Sequence, residues 1–277
     1  MAPFTCAQRS PARAASSGAP VRSLQDYLSR PMTPPDPAVL DAIERGPIDP
    51  RQAQPAGEVD RLLDPAELPG ECGWCALADG CGYVAMRTEM PGVTGEMVDW
   101  WFDWHPHDPV RYRVWHPLAH ERNSVEPAAE AGEKAYWGTV HHPVEDIGLG
   151  TVHARIAFHR PEILGFSAGV LDRPGVAAIV GGFAGDDRRR MQHTKMIHVF
   201  LTSNGGLVLR SRFWLGSALR PYAPEPLAGL AARVLNRPGV RRRLVPAAAP
   251  RALARHCAEE YANLAALLPE LHEQFGG

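Results

Sequence analysis

The chain has 277 residues, of which 45% are hydrophobic and 22% are charged, a composition typical of globular proteins. The formal net charge of −2 at pH 7 argues against a nucleic-acid or anionic-membrane partner. No apolar run approaches the length of a membrane span, and the N-terminus lacks the apolar core of a secretory signal. The cysteine count of five is odd, so we expect a reduced, cytoplasmic protein.

The N-terminal part does not have the pattern of an independent domain. Residues 1–20 are rich in Ser, Ala, Pro and Arg without periodicity, which predicts a disordered tail. Residues 21–72 contain two short helix candidates, at 24–28 and 38–43, on either side of a proline cluster. This segment is too short to bury its own core, so we expect an arm that packs on the main body or on a second subunit. The second option predicts a homodimer.

From residue 73 onward the pattern alternates between strands and a few helices. The predicted strands cover residues 82–87, 112–115, 135–141, 151–158, 176–183, 194–202 and 207–215. The turn sequence Ser203-Asn-Gly-Gly206 predicts a hairpin between the last two. The predicted helices cover residues 94–102, with Thr94 as the N-cap, then 225–236 and 250–268. Many antiparallel strands followed by a long terminal helix indicate an α+β domain. In the helix-grip arrangement, a curved antiparallel sheet wraps such a helix and leaves a cavity between them.

Two residues of the last helix differ from the apolar stripe on which they lie. The stripe includes Leu253, Leu264 and Leu268, and the helical spacing of three and four places His256 and Glu260 on it. A buried carboxylate beside a buried imidazole is unfavourable without a compensating charge. A divalent metal is the simplest such charge, and i, i+4 spacing lets one helix offer two ligands. The alternative is a His–Glu hydrogen bond on a partly exposed face.

Two further segments, 111–123 and 141–148, are rich in candidate metal ligands. A site of four ligands would take one residue from each of them and two from the helix, for example His120 and Glu145. Spacing alone does not choose between these and the neighbouring candidates. Those candidates are His116, His141, His142 and Asp146.

Four motifs in fixed order resemble a known family. They are Arg111-Tyr112…Trp115-His-Pro…His120…Asn123, then Glu145-Asp-Ile-Gly148, then Arg210-Ser-Arg-Phe-Trp-Leu-Gly216, then His256-x-x-x-Glu260. Spread over about residues 73–268, they are similar to the diacetylphloroglucinol hydrolase and phloretin hydrolase family. The resemblance implies a Bet v1-like catalytic domain over residues 73–277, with the N-terminal part used in dimerisation. It also implies hydrolysis of the carbon–carbon bond between a polyhydroxylated aromatic ring and an acyl group, by zinc-bound water. The implied ligands of one zinc ion per chain are His120, Glu145, His256 and Glu260.

The resemblance also assigns residues to the acyl phenol substrate. Tyr112 and Asn123 match family residues that hold the phenol. A further substrate-binding tyrosine of the family falls at Phe213, so one hydroxyl is absent here and the identity of the acyl phenol stays open. Independently of the family, His198 on the predicted hairpin strand is a candidate catalytic proton donor to the ring carbon. Its alternative is an exposed strand histidine.

Other functions fit the same pattern less well. A helix-grip domain can be a non-catalytic carrier of small apolar molecules, or a metal-free enzyme similar to polyketide cyclases. In both cases the metal would be absent. A divalent metal other than zinc would also accept His and carboxylate ligands. Cys72 and Cys75 have redox spacing, and Cys81 adds a third thiol, but no βαβ unit or fourth ligand accompanies them.

Overall fold

The computed structural model describes residues 23–129 and 132–276, so the predicted disordered tail lies outside the described residues. The helices within these ranges are α1 Leu24–Leu28, α2 Pro37–Glu44, α3 Gly95–Trp104, α4 Pro109–Trp115, α5 Leu227–Leu235, α6 Pro238–Leu244 and α7 Ala249–Phe275. Short 3-10 helices cover Pro50–Gln52, Val59–Leu63, His105–His107 and Val170–Asp172. Among these helices, none is both long and apolar enough to cross a membrane.

The strands form one antiparallel sheet. They are β1 Gly73–Ala76, β2 Gly82–Pro91, β3 His120–Arg122, β4 Val125–Glu126, β5 Val140–His141, β6 Val144–Asp146, β7 Thr151–Phe158, β8 Val176–Asp186, β9 Met191–Ser203 and β10 Gly206–Pro221. The order across the sheet is β1-β2-β10-β9-β8-β7-β5-β4, and β6 pairs with both β3 and β7. The predicted hairpin is confirmed, because Ser203 pairs with Gly206 across the turn between β9 and β10.

One face of the sheet packs against α7, which confirms the helix-grip (Bet v1-like) arrangement. Strand residues alternate between the two faces. On β9, Phe200 therefore joins the core that contains α7, whereas Val199 joins the core on the opposite face. Leu264 and Leu268 of α7 are fully buried in the first of these cores. The predicted inward stripe of the terminal helix is thus buried.

The opposite face of the sheet is covered by the second half of the N-terminal arm. Val59 and Leu62 are buried in the same core as Trp214 of β10. The Arg210 guanidinium donates hydrogen bonds to three backbone carbonyls of this segment, those of residues 62, 64 and 66. It also lies 2.6 Å from a carboxylate oxygen of Glu71. Buried charge and hydrogen bonds therefore fix the arm to the sheet.

The first half of the arm packs on α7. Tyr27 is buried and donates a hydrogen bond of 3.1 Å to Gln274. Arg30 forms an ion pair of 2.8 Å with Glu270. Of the two expectations for the arm, packing on the main body is therefore found within one chain, and the dimer stays a prediction.

The predicted strand at 112–115 is wrong, because these residues belong to α4. The Asp108 carboxylate accepts a hydrogen bond of 2.7 Å from the Val110 amide, and Pro109 occupies the first helical turn. An aspartate N-cap followed by proline is a helix start signal, which outweighs the strand propensity of Tyr112, Val114 and Trp115.

The predicted strand at 135–141 is wrong over most of its length, since only Val140 and His141 are in a strand. In the preceding segment, the Trp137 amide donates to the Lys134 carbonyl and the Thr139 amide donates to the Tyr136 carbonyl. These groups are paired within turns and not with a neighbouring strand. Gly138 has a φ of 79°, which L side chains rarely adopt.

Candidate metal centre

Strands β3 and β6 place the first two candidate ligands opposite each other. In their antiparallel pairing, His120 is the direct partner of Glu145. A tight turn precedes β3, with the His120 amide donating to the His116 carbonyl at 2.8 Å. Paired residues on adjacent antiparallel strands have their side chains on the same face. The register therefore brings an imidazole and a carboxylate together from segments 25 residues apart in sequence (145 − 120).

Helix α7 supplies the other two. His256 and Glu260 are both buried, and His256 Nε2 lies 3.7 Å from Glu260 Oε2. Helical residues four positions apart lie on one face. The helix phase predicted from the apolar stripe is therefore right for both residues.

The two pairs converge on one point. His120 Nε2 lies 3.5 Å from Glu145 Oε2 and 3.7 Å from Glu260 Oε2. The ligand atoms of His120, Glu145 and His256 all lie within 4.8 Å of one another. Across residues 23–129 and 132–276, this is the one group of at least three His, Cys, Asp or Glu side chains with such spacing. These three residues could hold a metal ion, and Glu260 Oε2 lies outside the group but 3.7 Å from the Nε2 atom of each histidine.

The protonation states of the two histidines suit the binding of a cation. His120 Nδ1 bonds to the Tyr112 carbonyl at 3.1 Å, which fixes the proton on Nδ1 and leaves the lone pair on Nε2 facing the carboxylates. Burial lowers the pKa of His120 well below its usual range and that of His256 to about 3, so both imidazoles are neutral. Within the described part of the chain, His120 Nε2 has no hydrogen-bond partner.

The two carboxylates also lack a compensating charge. Burial raises the pKa of Glu145, and burial together with the charge of Glu145 raises the pKa of Glu260 well above its usual range. In the described ranges, the ion-pair contacts of both carboxylates are to histidines, not to lysine or arginine. The buried carboxylate of Glu260 and the partly buried carboxylate of Glu145, beside two neutral imidazoles, form a donor set that a divalent cation would stabilise.

Aromatic residues of α4 hold the ligands in place. The Tyr112 hydroxyl donates a short hydrogen bond to Glu145, and its ring stacks on His120 with 4.1 Å between centroids. Trp115 Nε1 donates to the backbone carbonyl of Glu260 at 3.1 Å. Groups that bond to metal ligands orient them and tune their basicity. Sequence reasoning assigned Tyr112 to the substrate and gave Trp115 no role. The helical start signal at residues 108–109 would have indicated that both lie on one short helix.

The neighbouring candidates lie outside the ligand cluster. His116 stacks on His256 at 5.1 Å and its Nε2 faces the Glu259 carboxylate at 3.4 Å. His142 contacts Glu126 and Asp187. Asp146 accepts backbone amides of the following turn. The geometry therefore separates His120 and Glu145 from alternatives that spacing could not exclude.

His198 and Phe213 lie inside the helix-grip core, next to α7. His198 Nδ1 lies 2.8 Å from Ser211 Oγ, and its ring is 5.4 Å from Phe213 and 5.0 Å from Tyr261. Burial lowers the pKa of His198 to about 3. The alternative of an exposed strand histidine is therefore wrong. Sequence reasoning missed Tyr261, although it directly follows Glu260.

Asn123 is buried, and its Nδ2 lies 3.4 Å from His141 Nδ1.

A surface pocket of about 420 Å³ reaches two of the candidate ligands from solvent. Its lining includes His120 and Glu145, together with Arg113, Leu118 and Thr151.

Among the described residues, the thiols of the Cys72 to Cys81 segment are not part of the candidate ligand cluster. Cys75 and Cys81 are buried thiols. Burial raises the pKa of Cys75 to about 11 and that of Cys81 to about 12, so both are protonated and unreactive at neutral pH.

Comparison with known proteins gives a family match, similar enzymes and similar solved structures. The profile of the DAPG hydrolase PhiG domain matches residues 54–273. Phloretin hydrolase of Eubacterium ramulus is 28% identical over 261 residues, which cover 91% of this chain and 90% of that protein. A 2,4-diacetylphloroglucinol hydrolase of Pseudomonas sp. is 30% identical over 226 residues, with 79% of this chain and 76% of that protein covered. Among solved structures, the Zhui aromatase/cyclase of Streptomyces sp. R1128 has a TM-score of 0.37 at 12% identity, over 71% of this chain and 98% of that one. The profile match spans well over half of the chain, which therefore belongs to the DAPG hydrolase family.

Proposed function

We propose that the protein is a zinc-dependent hydrolase that cleaves the carbon–carbon bond between a polyhydroxylated aromatic ring and an acyl group. The single observation that carries the proposal is the proximity of two neutral imidazoles and two carboxylates in a member of this family. Two curated relatives are named for hydrolysis of phloretin and of 2,4-diacetylphloroglucinol, both acylphloroglucinols. We therefore propose an acylphloroglucinol as the substrate.

The proposed ligands are His120, Glu145, His256 and Glu260. A bound zinc ion would lower the pKa of water to supply a nucleophile at neutral pH and would polarise the acyl carbonyl. The protein holds the ligands by packing and by the hydrogen bond from Tyr112 to Glu145. One side of the ligand set is aromatic, since Trp115 lies 5.4 Å from the His120 ring. An aromatic side suits a planar aromatic substrate.

Ring hydroxyls explain why the bond can break. When water adds to the acyl carbon, the electrons of the carbon–carbon bond pass to the ring carbon, which takes a proton. Hydroxyls ortho and para to that carbon make it basic, because a keto tautomer can carry the negative charge. The products are a carboxylic acid and a ring with hydrogen in place of the acyl group.

We propose that Tyr112 and Asn123 contact ring hydroxyls. The Tyr112 oxygen donates its proton to Glu145, so it remains able to accept a hydrogen bond from a substrate hydroxyl. Phe213 would leave one side of the pocket apolar. This arrangement favours substrates with hydroxyls that flank the acyl group.

We propose His198 as the group that delivers the proton to the ring carbon. With a pKa of about 3 it is neutral at pH 7 in the metal-free, substrate-free protein. A phenolate bound beside it would favour the imidazolium form, because a nearby opposite charge raises the pKa of a histidine. The role therefore depends on an anionic substrate.

The proposed homodimer rests on the partly exposed apolar side chains of the arm, Leu24, Leu28 and Leu40. Tyr27 and Ile43 are buried within the chain and do not contribute. Light scattering of the whole protein would contradict the dimer if it gave a monomer mass.

The proposed reaction is tested with the zinc-loaded protein and 2,4-diacetylphloroglucinol or phloretin. We expect release of the carboxylic acid and of the deacylated ring in equal amounts, with one oxygen from labelled water in the acid. Unchanged substrate, bound but not cleaved, would contradict hydrolysis and favour a carrier. Turnover that needs no metal would contradict the metal-dependent mechanism.

A further inference from the structure

Asn123 and His141 form a buried polar pair that is not part of the ligand cluster. Their exposed fractions are 6% and 3%. Asn123 Nδ2 lies 3.4 Å from His141 Nδ1. Because an amide nitrogen only donates, His141 Nδ1 accepts this bond and the ring proton lies on Nε2. Burial lowers the pKa of His141 well below its usual range, so this neutral tautomer persists at pH 7.

Each member of the pair has one polar atom without a hydrogen-bond partner among the described residues. These atoms are Asn123 Oδ1, an acceptor, and His141 Nε2, which carries a proton. Buried polar atoms are rarely left unpaired, because an unmade hydrogen bond destabilises the folded state. An unpaired donor and an unpaired acceptor on adjoining buried side chains indicate a site for a polar ligand group.

The surroundings of the pair are aromatic and continuous with the metal centre. The His141 ring packs edge-on against Phe158 at 4.6 Å and lies 6.0 Å from His105. His105 stacks at 6.1 Å on Tyr112, which stacks at 4.1 Å on the ligand His120. A chain of ring contacts through His105 and Tyr112 therefore links the polar pair to the candidate ligand His120.

We propose that His141 adds a second contact to the ring-hydroxyl subsite of Asn123 and is a specificity-determining residue of that subsite. The inference rests on the proposed function and names the part of the substrate that this site binds. Hydroxyls both donate and accept, so a polyhydroxylated ring can pair His141 Nε2–H and Asn123 Oδ1. A carbonyl or an ether oxygen only accepts and would leave Asn123 Oδ1 unpaired. The ligand group is therefore one that both donates and accepts, which the ring hydroxyls of the proposed substrate provide.

The test compares substitutions of His141 that keep a hydrogen-bond donor near the position of Nε2 with substitutions that remove it. Glutamine places an amide nitrogen near the position of Nε2, whereas asparagine and leucine do not. We expect His141→Leu and His141→Asn to raise the KM for 2,4-diacetylphloroglucinol about 3- to 10-fold, the effect of one lost neutral hydrogen bond. His141→Gln should stay within about 3-fold of the wild type. The control is His142→Leu, whose side chain contacts Glu126 and Asp187, and its KM should not change.

Zinc content and thermal stability are measured on the same variants. A purely structural role, such as bonding to a buried water, predicts a lower Tm with unchanged KM. That result would overturn the inference. Equal KM values for His141→Gln and His141→Asn would also overturn it, even if His141→Leu does not fold.

Binding separates this inference from the proposed reaction. Calorimetric titration of the zinc-loaded protein with phloroglucinol needs no turnover. If the wild type binds phloroglucinol but hydrolyses no acylphloroglucinol, and His141→Asn weakens that binding, the proposed reaction fails while the subsite stands. If the wild type is active and binding is the same in His141→Asn, the subsite alone fails. If phloroglucinol does not bind, the subsite is overturned whatever the activity.

Discussion

Removal of one hydroxyl, in Tyr112→Phe, tests how α4 holds the metal centre. The substitution keeps the aromatic ring, which stacks on His120 at 4.1 Å. It also keeps the backbone carbonyl that bonds to His120 Nδ1. The loss is confined to the hydrogen bond that the phenol donates to Glu145. That carboxylate would then have one protein contact fewer to orient it toward the cation.

The size of the effect follows from the charge of the acceptor. A hydrogen bond to a charged group contributes about 1.5–3 kcal/mol. At about 1.4 kcal/mol per tenfold change, zinc affinity should fall by roughly 10- to 150-fold. Substitution of groups that bond to metal ligands costs about 10- to 100-fold in affinity, which agrees. Turnover at saturating zinc should fall as well, by about 10-fold or more, if the same oxygen accepts from a substrate hydroxyl.

The assay is a zinc competition titration against a chromophoric chelator, followed by turnover at saturating zinc. The matched control is Tyr136→Phe, another buried tyrosine, whose hydroxyl donates to Asp99 at 3.0 Å. Its zinc affinity should equal that of the wild type. If Tyr112→Phe binds zinc as tightly as the wild type, Tyr112 does not hold Glu145 in the metal-loaded protein. The reasoning from the structure would then be refuted.

Three further predictions concern the site and the fold. Glu260→Gln should lose zinc and activity. Glu259→Gln should keep bound zinc, because Glu259 precedes Glu260 by one residue and lies about 100° away from it on the helix. Equal losses of zinc in the two variants by elemental analysis would show that the helix phase is wrong. The raised pKa values of Glu145 and Glu260 mean that these carboxyl groups keep protons to higher pH than usual in the metal-free protein. Zinc binding should therefore release protons and tighten as pH rises, and calorimetry in buffers of different ionisation enthalpy would contradict this if it showed proton uptake. Arg210→Ala removes the closest cation from the buried Glu71, so the free energy of unfolding should fall by about 3 kcal/mol in urea titrations. Arg243→Ala, at an exposed position, should change it by less than about 0.5 kcal/mol, and similar losses in both variants would contradict the role of the buried pair.

The terminal helix and the hairpin could be predicted from sequence because their signals are local. A helical stripe of period 3.6 placed His256 and Glu260 on the buried face of α7, and both are buried. The sequence Asn204-Gly205 between two apolar runs determined the turn that joins β9 and β10. Each depends on contacts among neighbours in the chain.

The rest of the centre depends on contacts between distant segments. The choice of His120 and Glu145 follows from the register of β3 and β6, two strands of three residues each that carry no periodic signal. The bond between Tyr112 and Glu145 requires α4, which begins at the Asp108 cap, whereas Tyr112, Val114 and Trp115 are residue types that favour a strand. The partnership of Asn123 with His141 arises only when the sheet assembles. The family resemblance supplied what the local pattern could not.

The central claim is that activity depends on one metal ion at the His120, Glu145, His256 and Glu260 cluster. The most direct measurement is a zinc titration of the chelator-stripped protein, with hydrolysis of 2,4-diacetylphloroglucinol as the readout. The account predicts an inactive metal-free protein and full recovery at one equivalent of zinc per chain. Full activity without metal, or stoichiometric zinc binding with no hydrolysis of any acylphloroglucinol, would contradict it.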